Sequence, residues 1–169
     1  MTPAKTLITP EEYLHTSFEG LDREYVDGEI VERAMPTTSH GRLQLRFGKL
    51  FDRFEERHLL YAMSEVRHRL SENRYRIPDI AVHHGQVPAD EVPTEPPLVA
   101  IEIVSPEDRL TALLDKLEEY FRWGVAHVWL VDPVRREMAV YDASGFHDVP
   151  ELTLPEYGIS FTPQEVFGA

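Results

Sequence analysis

Apolar residues along this chain follow two periods, and the switches between them mark the elements. Thr9-Pro10-Glu11-Glu12 has the form of a capping box with proline at the first helical position, so a short helix is expected over about 10–17. Residues 23–33, "REYVDGEIVER", alternate on both sides of Asp27-Gly28, a hairpin signal. Leu43, Phe47, Leu50, Phe51 and Phe54 recur at helical spacing and predict a long amphipathic helix over 39–57. Alternation returns over 61–70, and "SEN" turns that strand into another, 77–83, which carries Asp79. Residues 85–97 hold four prolines and no period, which reads as a surface loop. The run 98–104 is apolar apart from Glu102, the pattern of a strand covered on both faces. After Ser105-Pro106, a helix with Leu110, Leu113, Leu114, Leu117, Tyr120 and Phe121 on one face runs to Gly124, a natural C-cap. "AHVWLVDP" and "REMAVYD" read as two strands paired across the Asp132-Pro133 turn. The order predicts an α/β fold: a single domain over 1–169, with helices packed on a layered sheet.

Composition adds boundaries. No apolar run approaches the roughly 20 residues that a membrane-spanning helix needs, and "MTPAKTLITPEEY" lacks the basic and apolar regions of a signal peptide. The chain has no cysteine, hence neither a disulfide framework nor a thiolate metal site. A cytoplasmic protein without membrane attachment is the expectation. The net charge of −13 is unfavourable for nucleic acid, yet it is unevenly spread. Residues 33–76 hold ten basic against five acidic side chains; the rest holds the remaining seven basic and twenty-five acidic ones. That segment reads either as a solvated helix face or as a basic arm beside an acidic site.

The candidate chemistry lies in the two strands. Period two puts Asp79 on one face with Ile77 and Ala81, and Glu102 with Ala100 and Val104. An ionised carboxylate is not buried there unless it is paired, hydrogen-bonded or bound to a metal. Two hard oxygen donors on neighbouring strands, with room for water and phosphate, suit Mg²⁺ or Mn²⁺. Taken singly, either acid is as readily a turn aspartate or a glutamate paired with an arginine. Lys116, in "LLDKLEEYFRW", falls at the border of its helix's apolar face together with Tyr120 and Trp123. There it can lay its stem on apolar surface and bring its ammonium to the acidic end of the sheet. Acid, acid and lysine on consecutive core elements form one constellation.

Pro78-Asp79, then Glu102, then a lysine resembles the PD-(D/E)XK phosphodiesterase superfamily, with its restriction-endonuclease-like mixed central β-sheet flanked by helices. More closely, "REYVDGEIVE", "MPTTSHGRL", "RIPDIAV", "LVAIEIVSP", "DKLEEYFRWGV" and "VWLVDP", in that order, resemble the Uma-type family of endonucleases. The resemblance implies a metal held by Asp79, Glu102 and the Ile103 carbonyl. It implies that Lys116 positions or deprotonates the attacking water, that Glu24 completes the site, and that His40 and Arg42 bind substrate. The superfamily lysine usually stands two residues after the acid, where this chain has Val104; Lys116 is then its migrated equivalent. The chain also has Ala112 where relatives carry an aspartate, and Glu107-Asp108 where they carry small hydroxyl residues.

The implied function is Mg²⁺- or Mn²⁺-dependent hydrolysis of DNA phosphodiester bonds by an endonuclease, as a homodimer if both strands are cut. A catalytically inactive nuclease-fold binding or assembly module is the alternative, favoured by the changes at 107, 108 and 112. A zinc hydrolase on His83, His84 and His127 is a third reading. It lacks H-E-x-x-H, and adjacent histidines on a strand point to opposite faces.

Overall fold

A computed structural model describes residues 7–169; the first six residues of the N-terminal stretch read above for a signal peptide lie outside that range. The first helix, α1 (Pro10–Leu14), starts with the expected capping box between Thr9 and Glu12 but stops after five residues. β1 (Glu24–Val26) and β2 (Glu29–Val31) form the hairpin, with Asp27 and Gly28 both at positive φ, which this tight turn demands. The expected helix over 39–57 is α2 (Thr38–Asp52), capped by Thr37, followed by a separate short turn, α3 (Glu55–His58), which ends on Leu59 in the left-handed region.

Alternation over 61–70 concealed a break. It divides into β3 (Leu60–Ser64) and β4 (His68–Ser71), which belong to different sheets. The chain changes sheet at Glu65, which sits at φ 60. β4 turns back as β5 (Arg74–Arg76), and β6 (Ile80–His84) begins only after Pro78-Asp79. Asp79 therefore stands in the crossing between two sheets rather than inside a strand. β7 (Val99–Ile103), α4 (Leu110–Trp123) and β8 (His127–Asp132) form a β-α-β unit, and β7 and β8 are the parallel pair. β9 (Glu137–Asp142) and β10 (Gly145–Asp148) extend that sheet. A small hairpin, β11 (Leu152–Leu154) with β12 (Ile159–Phe161), and α5 (Pro163–Phe167) complete the chain.

The main sheet is six-stranded and mixed, in the order β10-β9-β8-β7-β6-β3; the smaller one is β2-β1-β5-β4. Alternation in β7 divides the main core between two faces. Val99, Ile101 and Ile103 meet Phe47, Leu50 and Phe51 of α2 and the C-terminal hairpin, whereas Ala100 meets Leu113, Leu117 and Tyr120 of α4. Glu102 shares the α4 side with Ala100, as the period predicts. The apolar face of α4 is narrower than the sequence suggests, since Leu110 is 62% exposed and Phe121 36%. The small sheet closes on α1 through Tyr13, Tyr25 and Tyr75, with Tyr13 lying 5.2 Å from Tyr25 and 5.3 Å from Tyr75 between ring centroids. Among the described residues, no helix is long and apolar enough to cross a membrane.

Candidate active site

Strand register brings the two acids together. β6 and β7 are antiparallel with Ile80 opposite Ile101, so the next position in register sets Asp79, one residue before Ile80, beside Glu102, one residue after Ile101. The Ile103 N–H donates to Asp79 Oδ2 at 2.7 Å, which fixes the Asp79 carboxylate against the end of β7. In the small sheet Tyr25 faces Tyr75, and the adjacent pair is Glu24 with Arg76. Arg76 Nη1 donates to Glu24 Oε2 at 2.8 Å, and the Ile77 N–H donates to Glu24 Oε1 at 2.9 Å. Glu24 is thereby aimed at the junction where the chain leaves the small sheet for Asp79.

Lys116 on α4 completes the junction. Only 9% exposed, it is buried more deeply than a position at the rim of a helix face suggests. Its Nζ lies 2.7 Å from Glu24 Oε1 and 2.9 Å from Glu102 Oε1, and donates to the Ile77 carbonyl at 3.4 Å. The buried Tyr120 hydroxyl, one turn further along α4, donates to Glu102 Oε1 at 2.8 Å. Asp79, Glu102, Glu24, Lys116, Ile103 and His40 all line one cleft of about 140 Å³, together with Arg33, Arg76, Ser105, Asp108 and Ala112.

Burial and charge set the ionisation of the group. Burial pushes the Glu102 carboxyl up to about 7; Lys116 opposes this, while Asp79 and Glu24 add to it. Burial also works against the Glu24 charge, but Lys116 and Arg76 hold its carboxyl below the ordinary range. For Lys116 burial opposes the ammonium, and Glu102 and Glu24 outweigh it, so the amine is held protonated. His40 lies with Nε2 3.2 Å from Asp79 Oδ1, which raises its pKa against the effect of burial.

A divalent cation fits this donor set. The oxygens are hard carboxylate donors, the type that such an ion prefers. Asp79 and Glu102 are two carboxylates at the cleft, the number that Mg²⁺ commonly takes from protein while keeping water and substrate oxygens. The site is not a preassembled cage: among the described residues no three His, Asp or Glu side chains converge to hold an ion. The zinc reading finds no support in the geometry either. His83 Nε2 pairs with His68 Nε2 at 3.1 Å, and His127 Nε2 with Glu156 Oε1 at 2.6 Å.

The structure divides the charges of the basic segment and of the two acids that follow Ser105-Pro106. Four arginines of the basic segment are spent inside the molecule: Arg33 on Glu65 and Asp79, Arg67 on Asp22, Arg74 on Asp27 and Glu119, Arg76 on Glu24 and Glu119. Arg42 is exposed and lines a separate depression with Arg46 and Arg136 rather than the cleft. Of the two acids after Ser105-Pro106, Asp108 lines the cleft and accepts from the Ser105 N–H at 2.6 Å, while Glu107 is exposed and outside its lining. The sequence singles out neither Arg33 nor Arg76, and it sets Tyr120 beside Lys116 on the helix border without a role. Tyr120 alone had a local signal, one turn after Lys116 on the same helix.

Comparisons with known proteins agree with this architecture. No curated protein matches the chain. Among solved structures, the chain is similar to one from Anabaena variabilis titled "Crystal structure of a putative nuclease belonging to DUF820". The TM-score is 0.82 at 22% identity, covering 95% of this chain and 97% of the other, a likeness of fold. The Uma2 family model, described as "Putative restriction endonuclease", matches residues 10–167. With nearly its whole length matched, the chain belongs to the Uma2 family of nuclease-like proteins.

Proposed function

We propose that the protein is a Mg²⁺- or Mn²⁺-dependent endonuclease hydrolysing DNA phosphodiester bonds in this cleft. The observation that carries the reading is the buried Lys116 ammonium bridging Glu24 and Glu102 beside Asp79. Asp79, Glu102 and the Ile103 carbonyl would hold the metal. When bound, the ion supplies Lewis acidity and a water of lowered pKa. Lys116, kept protonated by two carboxylates, serves as a fixed cation and proton donor toward charge developing on the phosphate, rather than as a base for water. Glu24 orients that ammonium and, through Arg76, ties the small sheet to the site. Cutting both strands of a duplex would take two clefts, which a C₂ dimer provides. Such an endonuclease would act in the cytoplasm.

The inactive-module reading has one observation in its favour. Asp79 and Glu102 are already met by Arg33, His40, Lys116 and Tyr120, so the cleft is largely neutralised without a metal. A nicking assay on supercoiled DNA with Mg²⁺ or Mn²⁺ separates the two. Cleavage by the wild type that is lost in identically prepared Asp79→Asn supports the endonuclease; metal-dependent binding without cleavage supports the module. Absence of both removes DNA as the substrate.

A further inference from the structure

Arg33 occupies a place that the catalytic reading does not explain. It follows β2 and lines the cleft with a side chain only 10% exposed. Its two terminal nitrogens are held unequally. Nη1 lies 2.5 Å from Glu65 Oε2, whereas Nη2 reaches Asp79 Oδ1 only at 3.3 Å. Glu65 is itself fixed, since Gln44 Nε2 on α2 donates to its Oε1 at 2.7 Å and to the Asp79 carbonyl at 3.4 Å. Glu65 also has the left-handed backbone, φ 60, that glutamate rarely adopts, and such strain persists where surrounding contacts over-determine it. The contacts on hand are those that grip Arg33.

A guanidinium anchored through one terminal nitrogen keeps its other N–H groups in the same plane, the arrangement suited to bidentate recognition of a phosphate. Beside it, His40 is 5% exposed, and its Nδ1 is buried with no hydrogen-bond partner. His40 stands in the first turn of α2, which carries no acidic residue, and its own N–H donates to Thr37 Oγ1 at 3.3 Å. What favours an anion on this wall of the cleft is therefore an arginine held from one side, with the largely buried His40 imidazole beside it on the same Asp79 oxygen.

Resting on the endonuclease reading, we infer that Arg33 is a substrate-binding residue that clamps a phosphodiester of the nucleic acid, with Glu65 and Gln44 as its positioning residues. Its long contact to Asp79 balances that carboxylate in the metal-free cleft and is exchanged for the phosphate when substrate and cation arrive together. No bond is made or broken in this exchange; one ion pair replaces another.

The test uses the full chain with Arg33→Gln, Arg33→Lys and Glu65→Gln. Mn²⁺ affinity is measured by calorimetry, and binding of a fluorescein-labelled DNA duplex in Mn²⁺ by anisotropy across a salt series, with Asp79→Asn as control. Arg33→Gln should keep or improve Mn²⁺ affinity and weaken duplex binding at least tenfold. It should also flatten log K against log salt by about 0.9, the signature of one lost phosphate contact that a purely structural role would not give. Arg33→Lys should restore the salt slope but only part of the affinity, because it returns the charge without the fork. Glu65→Gln should weaken duplex binding with the slope intact. Duplex binding or a slope equal to wild type in Arg33→Gln overturns the assignment while leaving the endonuclease standing. Tighter binding and faster cleavage overturn it too, by making Arg33 a plug. If Arg33→Gln does not fold, Arg33→Lys decides alone, a wild-type affinity counting against the clamp. If the wild type neither binds nor cuts DNA with Mn²⁺, the endonuclease reading fails first and the clamp with it.

Discussion

The Lys116 ammonium lies 2.7 Å from Glu24 Oε1, and this one contact joins α4 on the main sheet to β1 of the small sheet. Lys116 is therefore a structural cation as well as a candidate catalytic one. Truncating it leaves Glu24 and Glu102 facing each other in a buried site. Lys116→Met should cost about 3–5 kcal/mol of stability, the usual penalty for breaking a buried pair from one side. Cleavage should fall at least ~100-fold, while Mn²⁺ affinity is held or increased because a competing cation is gone. Denaturant melts with and without Mn²⁺ check the first part, and turnover at saturating Mn²⁺ the second. Wild-type turnover in a folded Lys116→Met protein would remove Lys116 from catalysis.

Glu102 is expected to trade stability for metal binding. Its carboxyl is pushed up to about 7, chiefly by burial, so its charge is a burden to the metal-free fold. Glu102→Gln should melt at the same temperature as metal-free wild type or higher, yet lose the rise in melting temperature that Mn²⁺ produces. A melt well below wild type without metal would show that the Lys116–Glu102 pair stabilises more than the buried charge costs.

Tyr120 offers a more local test. Its buried hydroxyl donates to Glu102 Oε1, and Tyr120→Phe removes that bond without changing the ring. A hydrogen bond to a charged group is worth about 2 kcal/mol, which for a chain of this size is a fall of roughly 4–8 °C in melting temperature. A shift below about 1 °C would mean that the hydroxyl contributes nothing there.

Acid stability should report on the His68–His83 pair, which joins β4 of the small sheet to β6 of the main one at 3.1 Å. Burial lowers His68 to about 4 from an ordinary value of 6.5, so the folded protein refuses a proton that the unfolded chain accepts. The pair costs nothing above about pH 6.5, and stability falls as pH drops from there to about 4, by about 3 kcal/mol in all. His68→Phe should make the dependence of the denaturant midpoint on pH shallower across that window. An unchanged slope would assign the acid sensitivity to the carboxylates.

Much of the site could be read from the chain because its parts lie on regular elements. Glu102 interrupts an apolar run, and period two places it toward α4, where Lys116 and Tyr120 wait one turn apart. Asp79 is legible by its chemistry but not by its place, since the stretch Ile77-Pro78-Asp79 leads straight into the apolar residues of β6 while its backbone crosses between sheets. The break at Glu65 leaves only a slight mark, a shift of the apolar positions from Tyr61 and Met63 to Val66 and Leu70, within what still reads as one alternating run. The cations that neutralise the acids were beyond reach. Arg33 meets Asp79 across 46 residues and Arg76 meets Glu24 across 52, and no local period encodes such pairs. For the same reason the sequence does not tell which basic residues of the segment pair internally, as Arg33, Arg67, Arg74 and Arg76 do, and which stay exposed, as Arg42, Lys49 and Arg57 do.

The central claim is that Asp79 and Glu102 form a divalent-metal site, and Mn²⁺ in a crystal tests it most directly. Anomalous diffraction from a Mn²⁺-soaked crystal should show one strong peak per chain, about 2.0–2.3 Å from oxygens of both Asp79 and Glu102. The peak should be absent from Asp79→Asn soaked identically. No peak in the cleft at saturating Mn²⁺, or a peak that survives in Asp79→Asn, would contradict the account.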